Sequence, residues 1–557
     1  MPVVHIAALA ETENSFLEQE LSVVMLLAVA AAMAIVVKRV KVPYTVALVL
    51  VGLAFAFFPN FVNIEFSSTL ILGLLVPPLL FEATLHLPWA KLKADLAPVL
   101  LLAIGGTILG TFGVGWIVWA VVGVPWLAAV AFGSLISATD PVAVIAFFKE
   151  LGVAKRLSVL VEGESLFNDA VAFVAFTLAV AAAEPDEEFG LLSAIGDFIV
   201  VGGGGLVVGL VLGWFVAKVV LANVDDALIE TTTTLAVAYG SFLVAEEFGL
   251  IIGVDGLHFS GILAVVAAGL MVGTHGLHNT SPTTRITLDH FWEVLAFLVN
   301  SMVFLVIGLK IELIELFADN AWYILVAVLA VLATRFIIVY GFTALQAVLL
   351  PARRIPIPYR HVMYWGGLRG AISLALALSL EESAFAPEVV DTVLVMTFGV
   401  VLFTLLAQGT TISALIARLG LSGVDVSERR QQEQQARIYA LRAGQAELAR
   451  LGEQGVLFSN MSTAMIETYE TDLDEARGGL GDHFRSHPEL EVAMLLQARR
   501  DALVAERSAI GDMVRSGFVG DDVGHHLAGE LNNRMAALNL IEQRWETDVG
   551  PSGDLGH

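Results

Sequence analysis

The sequence predicts an all-α polytopic membrane protein of about thirteen transmembrane helices followed by a soluble helical domain. Three observations predict it. The 557 residues are 57% hydrophobic and only 15% charged, with a mean hydropathy of +0.79, and a soluble chain of this length needs far more charge to cover its surface. Apolar runs of about 17–25 residues, the length that crosses a bilayer, recur from Leu21 to about Ile416. Lys and Arg gather in alternate loops between those runs.

The runs begin near residues 21, 43, 68, 97, 126, 158, 191, 227, 259, 290, 321, 360 and 391. Before the first, residues 1–19 carry Glu11, Glu13 and Glu18 and no Lys or Arg, so they read as a short extracytoplasmic tail, not a signal with a basic leader. Lys38, Arg39 and Lys41 follow the first run, Lys91 and Lys93 the third, and Lys149, Lys155 and Arg156 the fifth. Lys218 follows the seventh, Arg285 the ninth, Arg353, Arg354 and Arg360 the eleventh, and Arg418 the last. The intervening loops are acidic or neutral, and Lys310 sits among Glu312, Glu315 and Asp319. Short cytoplasmic loops collect positive charge, so an odd number of spans is expected, with the N-terminus outside and the C-terminus inside a cell (inner) membrane.

Residues 20–418 thus form the membrane domain, and from Asp425 the composition changes. Residues 425–557 contain no Lys, many Arg and more Asp and Glu, with expected helix breaks at Gly478-Gly479, His487-Pro488 and Gly517–Gly520. No Gly-rich phosphate loop occurs there. The segment reads as three or four solvated cytoplasmic helices, with regulation as its expected role. The chain has no cysteine, which excludes disulfides, thiolate catalysis and Cys-based metal sites. The net charge of −25 argues against nucleic acid.

Three segments place polar groups where a bilayer penalises them. The first is Ser137-Ala-Thr-Asp-Pro141 in the fifth run. Pro141 has no amide hydrogen and its ring clashes with the carbonyl four residues back, so the helix should open near Ser137–Asp140. Opened backbone at that depth is tolerated only where it lines a cavity or is buried in protein. Asp140 is placed to neutralise the positive end of the following half-helix, and Thr139 to offer an oxygen to a cation. The second is Gly163-Glu-Ser-Leu-Phe-Asn-Asp169 in the sixth run. An ionisable side chain at the bilayer centre costs roughly 2.5–3.5 kcal/mol on insertion scales, so Asp169 marks an ion path or a pair. At about 100° per residue Ser165 and Asp169 share a face, whereas Glu164 is turned by about 140° from Asp169. Asp169 is therefore expected to face a cavity and Glu164 a neighbouring helix. The third is Trp365-Gly-Gly-Leu-Arg-Gly370 in the twelfth run. Arg369 keeps its charge and must be paired, with Glu164 the expected partner. A broken fifth run and a Gly-weakened twelfth in matching halves point to an inverted-repeat transporter. Oxygen donors of these kinds suit a hard monovalent cation or a proton that competes with it.

Ala138-Thr-Asp-Pro141, Gly163-Glu-Ser-Leu-Phe-Asn-Asp169 and Gly366-Gly-Leu-Arg-Gly370, with Pro77-Pro-Leu-Leu-Phe-Glu-Ala83, resemble the NhaP/NHE-type sodium–proton antiporters, the first cation:proton antiporter family. The resemblance covers about residues 20–418. It implies a thirteen-helix fold of two inverted repeats, with the broken fifth and twelfth helices crossed in a core that moves against a dimer-forming domain. It makes Asp169 the ion- and proton-binding aspartate, with Ser165, Asp140 and Thr139 completing the Na+ site and Glu164 and Arg369 forming a buried pair. Asn168 stands where electrogenic relatives carry a second aspartate, which implies electroneutral one-for-one exchange. The implied substrates are Na+ or Li+ and H+, in a lipid-embedded homodimer with no cofactor and no enzymatic activity. One carboxylate that binds either H+ or Na+ makes the two exclusive, and exchange follows if the empty charged site cannot reorient.

The remaining intramembrane polar residues carry less. Glu82 is expected to pair with Arg335 as a tie between helices. Glu230 and Thr231–Thr234 read as capping and packing residues, and Asn300 and Ser301 as interhelical hydrogen-bond partners. His258, His275, His278 and His290 lack metal-ligand spacing. A K+/H+ antiporter of the same fold is the alternative within transport, since ligand type does not fix ion size. A channel would give only passive flux, and an Asp140–Asp169 hydrolytic dyad leaves the paired broken helices unexplained.

Overall fold

In the computed structural model the described residues are 24–37, 44–56, 71–184, 191–310, 320–349, 353–380, 385–454 and 459–486, apart from isolated positions, and scattered positions from 495 to 538. The N-terminal tail, the basic cluster Lys38–Lys41, the acidic stretch Glu312–Asp319, Glu381-Glu382 and His278 lie outside them. The chain divides into two compact units, Met1–Leu419 and Gly420–His557.

The described residues are helical throughout the first unit, and seven helices are long and apolar enough to cross a membrane, beside five shorter apolar ones. In chain order these include α1 (Val24–Val37), α2 (Tyr44–Ala56), α3 (Val76–Leu85), the short α4 (Trp89–Ala94) and α5 (Leu96–Val122). A split helix follows as α6 (Trp126–Leu135) and α7 (Val142–Leu151), then α8 (Lys155–Ala181). Next come α9 (Leu191–Phe215), α10 (Ala227–Glu246), α11 (Gly261–Met271) and α12 (Pro282–Lys310). The unit ends with α13 (Ala321–Leu349), a second split helix α14 (Ile357–Trp365) and α15 (Ala371–Ser379), and α16 (Pro387–Arg418).

The succession long, split, long therefore occurs twice, as α5, α6/α7, α8 and as α13, α14/α15, α16. Both splits have local causes. Pro141 forbids a continuous hydrogen-bond ladder through residues 136–141, and Gly366, Gly367 and Gly370 weaken the second helix at 366–370. Packing separates two groups of helices. One contains α5 to α8 and α13 to α16, in which α5 packs on α6, α8 and α13. The other contains α2, α3 and α9 to α12, in which α2 packs on α12 and α9 on α11. Small residues permit the α9–α11 approach: a methyl on Gly213 would lie 2.8 Å from Ala268 Cα. Van der Waals contact of this kind is what joins helices in a bilayer, where burial of apolar surface gives no drive. Helix α8 belongs to the first group and also touches α3, α9 and α11 of the second. Its start is fixed by Arg156, whose Nε and Nη2 donate to Asp95 Oδ2 and Oδ1 at 3.0 and 2.9 Å.

Capping at α10 differs from the expectation. Asp226, not Glu230, accepts from the amides of Leu228 and Ile229 at 2.9 and 3.1 Å. Position explains it, because Asp226 precedes the first helical residue and Glu230 lies a full turn inside. The hydroxyls of Thr231, Thr232, Thr233 and Thr234 bond carbonyls of their own helix.

In the second unit, α17 (Val424–Glu453) packs on α18 (Ser459–Ser486). Here α18 runs straight through Gly478-Gly479, where the sequence suggested a break. A glycine inside a helix costs only about 1 kcal/mol against alanine, and packing offsets that, whereas proline cannot continue. The described part of α18 stops at Ser486, just before His487-Pro488. Leu503, Leu531 and Leu538 form a small buried cluster further on.

Candidate functional site

The two splits meet. The amide of Asp140 donates to Leu368 O at 2.8 Å, so the broken backbones cross in hydrogen-bond contact. Ser373 Oγ donates to Leu135 O at 2.7 Å. A methyl on Gly370 would lie 2.5 Å from Asp140 Cβ, so only glycine permits the crossing there. The freed groups are satisfied within the crossing. Asp140 Oδ1 accepts from the amide of Val142 at 2.9 Å and so caps α7. Arg369 Nη1 donates to Ser137 O and Ala138 O, both at 3.1 Å, and its amide donates to Thr404 Oγ1 at 3.2 Å.

Helix α8 supplies the other wall. Asn168 locks Thr139 in two directions: Thr139 N donates to Asn168 Oδ1 at 3.1 Å, and Asn168 Nδ2 donates to Thr139 Oγ1 at 2.8 Å. Ser165 Oγ donates to Thr139 O. Asp169 is 7% exposed and lines a cavity of about 110 Å³ with Thr139, Asp140, Ser165, Ser373 and Asn300. The same cavity reaches Glu82 and Leu87 at the end of α3 and Glu162 near the start of α8. On the opposite side of α8, Glu164 lines a separate cavity of about 20 Å³ with Arg335 and Arg369. Asp169 and Glu164 thus look into different spaces, as their angular separation on the helix requires.

The pairing differs from both sequence expectations. Glu164 Oε1 accepts from Arg335 Nη1, not from Arg369. Arg335 Nη2 also donates to Met363 O at 3.0 Å. The reason is geometric. Arg335 on α13 faces the split in α14/α15, where Gly367 leaves room for its guanidinium, and Arg369 is already engaged by the carbonyls that Pro141 sets free. Arg369, 4% exposed, is therefore held by carbonyl dipoles, with Glu164 across the small cavity.

Glu82 consequently has no tie to Arg335. Its helix packs against α11 and α12, whereas α13 packs against α5 and α16. Glu82 Oε1 lies 3.5 Å from His86 Nδ1, and His86 Nε2 lies 3.2 Å from Asp289 Oδ1. His86 stands just beyond α3, and the Glu82 side chain raises its pKa to about 9. Neither His86 nor Glu162 was singled out in the sequence; seven-residue spacing from Asp169, two helical turns, was the available signal for Glu162. Ser301 Oγ and Tyr44 OH are 2.8 Å apart and join α12 to α2. No group of three His, Asp or Glu with metal-site geometry occurs among the described residues.

The arrangement can hold and release a small cation or a proton at one buried carboxylate. Thr139, Asp140, Ser165 and Ser373 bring oxygen atoms to its cavity, Arg369 is a fixed positive charge nearby, and the split backbone frees carbonyls from their helical partners.

Comparison with known proteins follows the same line. The family model described as sodium/hydrogen exchanger, transmembrane, matches residues 24–418. The Na(+)/H(+) antiporter ApNhaP of Aphanothece halophytica is 37% identical over 502 residues, covering 89% of this chain and 91% of that protein. The Na(+)/H(+) antiporter NhaG of Bacillus atrophaeus is 32% identical over 508 residues, covering 89% and 93%. Among solved structures, the sodium proton antiporter MjNhaP1 of Methanocaldococcus jannaschii at pH 8 superposes with a TM-score of 0.61 at 20% identity, covering 72% of this chain and 99% of that one. At that identity the likeness speaks for the fold.

Proposed function

The chain belongs to the transmembrane sodium/hydrogen exchanger family, and we propose that it exchanges Na+ for H+ at Asp169, one for one, by alternating access. The observation that carries this reading is the single cavity in which Asp169 meets the crossed helix breaks. Na+ would replace the proton on Asp169 and draw on Ser165 Oγ, Asp140 and the carbonyl or hydroxyl of Thr139. Ser165 donates to Thr139 O in the present state, so cation entry turns that hydroxyl and frees both oxygens. Asn168 holds Thr139 in register and brings no second carboxylate into play, which supports electroneutral stoichiometry. Arg369 is a fixed positive charge that acts on Asp169 without pairing with it directly, and neutralising the aspartate by H+ or Na+ alters that balance equally.

With the six-residue α4 left out and each split helix taken once, the described helices would make thirteen crossings, with the N-terminus outside the cell membrane and the C-terminal unit in the cytoplasm. That unit serves to regulate transport. The protein acts as a homodimer, and its α5–α8 and α13–α16 group moves against the other. No catalytic chemistry and no cofactor enter this scheme. Na+-driven proton movement in vesicles, measured with the membrane voltage clamped and then varied, tests the stoichiometry. A rate indifferent to voltage supports one-for-one exchange; a rate that follows voltage overturns it.

A further inference from the structure

Glu162 lies two turns before Asp169 on α8, roughly 10 Å along the axis, and lines the same cavity. It sits toward the end of the cavity formed by Glu82 and Leu87, away from the crossed breaks. Unlike Glu82, Asp140 and Glu164 it is uncommitted. Glu82 is held by His86, Asp140 caps α7, and Glu164 is bound by Arg335. Glu162 has no hydrogen bond and no ion pair among the described residues. The charged groups that act on it are Lys155 and Lys149, from α8 and α7, and Glu82 and His86, from α3 and the turn beyond it. His86, kept protonated to about pH 9, offsets Glu82 at neutral pH.

We infer that Glu162 is a positioning residue for transport: its carboxylate concentrates monovalent cations in the mouth of the cavity and feeds them to Asp169. This inference rests on Na+/H+ exchange at Asp169. Its negative charge also offsets the nearby Lys149 and Lys155, whose charges act against cation entry. A unit charge at roughly 10 Å, in surroundings between protein and water, changes the local monovalent cation concentration by roughly three- to tenfold at low ionic strength. The effect is screened when the Debye length falls to about 3 Å, near 1 M salt.

The test measures Na+-driven proton release from vesicles at pH 7.5 in low ionic strength and in high choline chloride, added as a screening salt with a bulky cation. Parent, Glu162→Gln, Glu162→Asp and Glu293→Gln are compared. Glu293 is an exposed glutamate beside His290, so its variant controls for net charge alone. The expected result is a three- to tenfold higher KM for Na+ in Glu162→Gln at low ionic strength. Maximal rate should stay within about twofold of the parent, Glu162→Asp should recover most of the loss, and choline chloride should erase the difference. A parent-like KM in Glu162→Gln overturns the inference, and so does a loss confined to maximal rate. If Glu293→Gln raises KM equally, general surface charge is the cause and Glu162 has no special part. A parent that exchanges no Na+ at all overturns the transport reading instead, so the two failures are distinct.

Discussion

Replacing Glu164 by Gln keeps the shape of the side chain and removes the charge that balances Arg335. Arg335 is 8% exposed, and with the pair broken its direct partner among the described residues is the carbonyl of Met363. Removing one member of a buried ion pair leaves the other uncompensated and typically costs about 3–5 kcal/mol. In detergent that corresponds to an apparent Tm lower by on the order of 5 °C. The nine tryptophans report unfolding without added dye. The sharper quantity is the coupling between sites. Double-mutant cycles with Arg335→Met and Arg369→Met separate the two candidate partners of Glu164. Coupling with Arg335 should reach about 2–3 kcal/mol, near the upper end for directly paired residues, and coupling with Arg369 should stay at about 1 kcal/mol or below. A larger coupling with Arg369 would falsify the pairing described above and return Arg335 to a role elsewhere.

Three further outcomes follow from the same geometry. Gly370→Ala places a methyl against Asp140 and should abolish transport while the protein still inserts and purifies as a folded species; near-normal exchange would mean the helices do not cross so closely. Asn168→Leu leaves the Thr139 amide without its acceptor, a loss of about 1–3 kcal/mol, and should raise KM for Na+ severalfold, with an unchanged KM counting against a role for Thr139 in the cation site. The His86 tie has a definite pH window. Because its folded-state pKa is raised from 6.5 to about 9, its stabilisation is complete below about 6.5 and disappears as pH rises through about 9. The gap in apparent Tm between the parent and His86→Gln should therefore be largest in mildly acidic buffer and close above about pH 9. The gap should be small and salt-sensitive, since the ring is 39% exposed, and a gap that widens with pH contradicts the assignment.

The membrane fold was legible because its determinants are local. Proline at 141 opens a helix whatever surrounds it, and glycines at 366, 367 and 370 loosen another. Register on α8 likewise follows from 100° per residue, which alone separates Asp169 from Glu164. Pairing was not legible, because it depends on which helices become neighbours. The rule that a buried arginine needs a partner applies equally to Arg335 and Arg369, and sequence offered two acceptors, Glu82 and Glu164. It did not show that backbone carbonyls at Ser137 and Ala138 satisfy Arg369 and leave Glu164 for Arg335. Glu162 is not legible in the sequence, because a carboxylate within two turns of Lys155 and Arg156 reads as part of a solvated helix end. Only the cavity running from Leu87 to Asp169 gives it meaning.

The central claim, that one carboxylate binds Na+ and H+ in turn, is tested most directly by collapse of a preset pH gradient in vesicles on adding Na+, Li+ or K+, with parent and Asp169→Asn side by side. Collapse by Na+ and Li+ in the parent, and by none of the three in Asp169→Asn, is the expected result. Collapse by Na+ in Asp169→Asn at the parent's rate contradicts it and moves the transport site away from Asp169.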